Sequence, residues 1–171
     1  MIEKQSINYI ENSTTFSNWA NAGIDTKNID TSITAPDGTA GAVKVVANST
    51  TGSHHVSAQG AIGPASTTKI RHSVFLKYGT QRFIDIYGNY GNWMTGSTGV
   101  RVDLLNGTAV KVGVSTGLTA VEEVKQFPNG WIKVTVKANH ASGVTPNGHV
   151  LYLWFVGETT ATVTSMSVFF T

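Results

Sequence analysis

The chain has 171 residues, room for one domain with a sizeable core, since a chain near this length buries roughly 70% of its unfolded surface. Only 13% of residues are charged and the net charge is +2, with no run of basic residues to mark a nucleic-acid or anionic-membrane surface. The absence of cysteine excludes disulfides, thiolate metal sites and cysteine nucleophiles, and no apolar run approaches the ~20 residues of a membrane-spanning helix.

Met1 to Ser6 has no apolar stretch of the signal-peptide kind, so synthesis in a cytosol is the expectation. Residues 1 to about 11 read as a short N-terminal arm on a single domain spanning 1–171. A helical turn around Phe16-Ser17-Asn18-Trp19 is conceivable on propensity. Asp25, Asn28 and Asp30 read as an oxygen-rich loop. A solvated loop is the plainer reading of that trio, and a structural calcium the alternative, since calcium wants six or more oxygens. No other cofactor is expected.

From Ala35-Pro36-Asp37-Gly38 onward the pattern has period 2. The Pro-Asp-Gly turn feeds a strand at Ala42–Val46, and His54–Gln59 reads as another. Lys69–Tyr78 and Arg82–Tyr87 form a hairpin across Gly79-Thr80-Gln81. Val100–Leu105 meets Ala109–Val114 across Asn106-Gly107, a strong two-residue hairpin signal. The stretch Thr119–Phe127 has helical propensities, but an isolated nine-residue helix has little to pack on in a two-sheet fold, so a strand is predicted. Asn129-Gly130 turns into a clean alternation from Trp131 to Ala138. Val150–Val156 is apolar on both faces, as in a central strand, and Val163–Phe170 closes the chain. About ten strands at this spacing predict an all-β, two-sheet antiparallel sandwich.

Gly113-Val114-Ser115-Thr116-Gly117 matches the nucleophile-elbow pattern but lacks the following helix, so a small-residue turn is the plainer reading. Glu122 and Glu123 are adjacent and point to opposite faces of a strand, so they do not flank one glycosidic bond. Asp85 and Asp103 lie on separate strands and read as solvent-facing. The five histidines show no metal-ligand spacing. No enzymatic activity is expected. For a sugar, the best candidate is Tyr87–Trp93: Tyr90 and Trp93 offer faces for the C–H side of a ring, Asn89 and Asn92 offer amides, and Arg82 and Lys77 could reach hydroxyls or acidic groups. Trp93 could equally plug one end of the sandwich. Trp131 and Trp154 are expected in the core.

Taken in order, Asn12–Trp19, Ala35-Pro36-Asp37-Gly38-Thr39, Gly52–Val56, Ser73–Lys77, Arg82–Ile86 and Asn129-Gly130-Trp131-Ile132-Lys133-Val134 form a series. The series resembles the carbohydrate-binding-module-like jelly rolls of tailed-phage structural proteins, found in tail fibres, tail spikes and head-decoration proteins. It covers about residues 12–171 and departs from the pattern at Ile132 and Lys133, where an aromatic and an arginine are expected. The resemblance implies a jelly-roll fold and a non-enzymatic phage virion structural protein, made in the host cytoplasm and resident in the virion. A capsid decoration or cement protein is the leading expectation, and a glycan-binding receptor module of a tail fibre or spike is the alternative. Expected partners are capsid or tail proteins and further copies of the chain, with a host glycan for the alternative and neither nucleic acid nor membrane. Ile2, Ile7 and Tyr9 in the arm and Phe169 and Phe170 in the apolar tail are the expected interface residues, although an ordinary last strand also accounts for the tail.

Overall fold

The computed structural model describes residues 18–50, 52–60, 69–89, 98–112, 119–139, 149–155 and 166–170. These residues form twelve strands: β1 (Ala20–Ala22), β2 (Ile24–Thr34), β3 (Ala40–Ala47), β4 (His55–Gly60), β5 (Lys69–Lys77), β6 (Phe83–Asn89), β7 (Thr98–Asp103), β8 (Thr108–Val112), β9 (Thr119–Gln126), β10 (Trp131–Asn139), β11 (His149–Phe155) and β12 (Met166–Phe170). A 3-10 turn, Pro128–Gly130, separates β9 from β10.

The strands make two six-stranded antiparallel sheets. Sheet A runs β1-β4-β11-β6-β7-β8 and sheet B runs β2-β3-β12-β5-β10-β9. Alternation decides which side chains meet between them. Val43 and Val45, Val74 and Leu76, and Ile132, Val134 and Val136 come from sheet B. Val56 and Ala58, Ile84 and Ile86, Val100 and Val102, and Leu153 come from sheet A. All belong to one buried cluster, so the sheets lie face to face as a sandwich. Trp19 seals the cluster ahead of β1, and Lys27 Nζ donates to its carbonyl at 2.5 Å.

The pairings are nested. β3 pairs with β12, β4 with β11, β5 with β10, and β6 with β7. The chain is thus laid down as one long folded ribbon whose successive pairs alternate between the sheets, and β8 and β9 extend the two sheets on the same side. β11 and β12 are interior strands, paired on both edges.

Three sequence expectations change. Asp25, Asn28 and Asp30 are not a loop but part of β2, an edge strand of eleven residues. Register shifts between Ile24 and Thr26 and again between Asp30 and Thr34 break its alternation, which hides it from a period-2 reading. The β7–β8 connection is wider than two residues: Leu104 to Gly107 form the loop, and Gly107 N donates to the Asp103 carbonyl at 2.8 Å. A two-residue type I′ turn needs positive φ at both central residues, but only Gly107 (φ 66°) has it, and Leu104 is buried in the core. Trp131 is buried, but in a satellite cluster with Ala42 and Phe75 on the outer face of sheet B. Ile33 and Phe127 pack against that cluster, and Trp131 Nε1 donates to Thr34 O at 2.8 Å.

Gly23 shows why one backbone position tolerates no side chain. Its φ is +64°, and a Cβ there would lie 2.5 Å from the His54 ring and 2.6 Å from the Ser53 carbonyl.

Candidate functional site

The outer faces of the two sheets carry the polar chemistry of the described residues, and they differ. On sheet A the register sets His55 beside Trp154, Trp154 beside Asp85, Asp85 beside Arg101 and Arg101 beside Val110. His55 stacks on Trp154 with ring centroids 4.7 Å apart and an interplanar angle of 19°. Arg101 donates from Nε and Nη2 to the two oxygens of Asp85 at 2.8 and 2.9 Å. Asp85 is only 3% exposed, so the expectation of a solvent-facing carboxylate is corrected: it faces outward but lies under its cross-strand neighbours. Trp154 likewise stands on this outer face, half-buried, and not in the core, because Leu153 takes the inward position. Partial burial lowers the His55 pKa, which favours the neutral ring against the indole.

Asp103 is the second fixed carboxylate on this sheet. Arg82 donates to it from Nε at 3.1 Å and from Nη2 at 2.8 Å. The backbone N–H groups of Leu105 and Asn106 add bonds of 3.1 and 3.2 Å, and Asn106 Nδ2 adds one of 2.8 Å. Chiefly through the Arg82 hydrogen bonds, with burial opposing and Asn106 assisting, its pKa falls from 3.8 to about 2. The side chain is largely covered and tied into the β7–β8 turn, so Asp103 is not a free solvent-facing acid either.

Of the predicted sugar-contacting residues, Arg82, Lys77 and Asn89 are among those described, and these three stand at separate places in the two sheets. Arg82 is engaged with Asp103 and lies 4.8 Å over the Phe83 ring. Lys77 ends β5 in the other sheet and donates to the Asn129 carbonyl. Asn89 ends β6, in register with Val150. Tyr90, Asn92 and Trp93 lie outside the described residues, as do the Ser115 motif and the arm residues Ile2, Ile7 and Tyr9. Phe169 and Phe170 sit in β12, in register with Phe75 and Val74, on a strand whose backbone is paired on both sides.

On sheet B, Asn28 and Asp30 line an open trough of about 370 Å³ with Thr26, Thr31 and Lys44, while Asp25 does not join them. The Asp30 carboxylate accepts from Ser32 N at 3.0 Å and Ser32 Oγ at 2.6 Å, and the Lys44 ammonium stands 3.9 Å away. These donors, the Ser32 bonds first, lower its pKa. An ammonium already faces the oxygens a calcium would need. Among the described residues, no group of three or more His, Asp or Glu side chains converges as a metal site would require. Near the hairpin tips, Leu104, Leu105, Gln126, Phe127 and Trp131 border a notch of about 160 Å³. That is below the roughly 300–1,000 Å³ of small-molecule sites.

Glu122 and Glu123 of sheet B are also matched, with Arg71 at 2.6 Å and with Lys133 at 3.1 Å; the register shift in the β9–β10 ladder turns both to the outer face, which corrects the expectation that they point to opposite faces. The described arrangement therefore presents surfaces, one neutral and closed, the other rich in lysine. No protein-family model matches the chain, and no curated protein matches it.

Proposed function

We propose that the chain is a non-enzymatic structural protein of a tailed-phage virion, a jelly-roll module that works by adhesion, and that its role is capsid decoration. The observation that carries this reading is the nested pairing of β3 with β12, β4 with β11, β5 with β10 and β6 with β7, the winding expected of the jelly-roll modules that the sequence resembles. The engagement of Asp30, Asp85, Asp103, Glu122 and Glu123 with cationic side chains supports it, because carboxylates so engaged serve to hold strands together.

The test is a phage whose reading frame for this chain is deleted. Decoration predicts particles that assemble and adsorb but lose resistance to heat or osmotic shock, with full resistance restored by adding the purified chain. Intact resistance with lost adsorption would replace this reading with the tail-fibre receptor module. A deletion with neither effect would overturn both.

A further inference from the structure

In the sequence the twelve lysines and arginines are scattered, and no two stand side by side. The fold collects half of them. Ile132, Val134 and Val136 point into the core, so alternation turns Lys133 and Lys137 of β10 to the outer face of sheet B. Register then sets Lys125 of β9 directly opposite Lys133, and Arg71 of β5 directly opposite Lys137. Lys77 of β5 is opposite Trp131, and Lys44 of β3 completes the set.

Among the described side chains that register and ion pairs place on this face, three carboxylates, Asp30, Glu122 and Glu123, stand against these six cations. Within that set the cations exceed the carboxylates by three, where the entire chain has a net charge of +2. On the outer face of sheet A, by contrast, Arg82 and Arg101 are matched one to one by Asp103 and Asp85. Like charges directly opposite one another destabilise a sheet, so the two facing pairs cost the isolated molecule stability. Glu122 relieves one of them through its bond to Arg71, and Glu123 relieves the other only in part. It bonds Lys133, feels Lys125 as well, and its pKa is lowered chiefly by the Lys133 hydrogen bond. Arg71, with a side chain 66% exposed, and the exposed Lys125 are open to solvent.

We propose that the outer face of sheet B binds an anionic polysaccharide, one bearing carboxylate or sulfate groups along an extended chain. The cations follow one line. From the Trp131–Lys77 rung to the Lys137–Arg71 rung is six residues of β10, about 20 Å at ~3.3 Å per residue, with the Lys133–Lys125 rung between them. A line of charges on an open sheet suits a flexible linear polyanion. Among the described side chains of this face, the rings of Trp131 at 1% and Phe75 at 8% exposure are covered and Phe127 is partly buried beneath Lys125, so charge and not base stacking is what these side chains offer. Recognition is therefore by charge and sensitive to salt. This inference stands apart from the virion reading and does not need it.

The test uses the full chain and two probes, immobilised heparin and a soluble polyuronate in affinity electrophoresis, with dextran as neutral control and duplex DNA as competitor. The comparison variant is Lys125→Gln/Lys137→Gln, which leaves the Lys133–Glu123 and Arg71–Glu122 pairs in place. Lys111→Gln, on β8 of sheet A, is the control substitution. Expected are binding at low ionic strength that is lost near 1 M salt, where the screening length falls to ~3 Å, and roughly tenfold or greater weakening in the double variant. The double variant should melt close to the parent, because relief of the like-charge pairs offsets the lost contact of the Lys125 ammonium with the Phe127 ring, 5.0 Å away. No binding of the parent to either polyanion would overturn the proposal. So would equal weakening by Lys111→Gln, or binding to duplex DNA tighter than to the polyuronate.

Discussion

At the scale of single residues, the charged side chains of sheet A act as fasteners. Asp85 is buried and gripped at both oxygens by Arg101. Replacing Arg101 by Met leaves that carboxylate in place without its partner, and the expected loss in urea unfolding is about 3 kcal/mol, the lower end for a broken buried pair because Arg101 is partly exposed. The double variant Asp85→Asn/Arg101→Met should lose less than Arg101→Met alone. Asp103 gives the pH counterpart. Its folded-state pKa lies below its unfolded value, so its contribution is present above about pH 4 and disappears as pH falls toward 2. The difference in melting temperature between the parent and Asp103→Asn should be largest near neutrality and vanish at about pH 2. A difference that persists unchanged at low pH would contradict this assignment. Neither role was legible in the sequence. Alternation places Asp85 and Asp103 on an outward face; what covers Asp85 is its cross-strand partner Arg101, and what holds Asp103 is Arg82, just ahead of β6, with Asn106 of its own turn.

At the scale of elements, legibility followed the regularity of the pattern. β5, β10 and β11 alternate or run apolar without interruption and were readable to within a residue or two. β9 forms as a strand despite its helical propensities because β10 offers it a ladder from Ile132 to Ala138. β2 was not readable: its apolar residues Ile24, Ile29 and Ile33 fall five and four apart, the trace of two irregularities in an edge strand. β12 carries a consequence for the apolar tail. It fills the gap between β3 and β5, so deleting residues 166–171 removes an interior strand and opens two ladders at once. Such a truncated chain should lose its cooperative thermal transition. A truncated chain that still melts sharply, and fails only in assembly, would show that the tail serves contact and not folding.

At the scale of the whole molecule, the first strand of the nested ribbon waits for the last: β3 is completed by β12, more than a hundred residues later. A fold dominated by such distant pairings is expected to refold slowly, in milliseconds to seconds or longer. The same winding turns scattered charges into a face, which is why twelve well-separated cations gave no hint of a patch until β5, β9 and β10 were set in register. The proposed decoration role rests on this frame and on surface contact. Quantitative mass spectrometry of purified particles tests it most directly, by counting copies of this chain against the major shell protein. Decoration predicts a copy number of the same order as the shell protein, released together with the heads when tails are separated. A handful of copies that travel with the tails, or none in the particle, would contradict it.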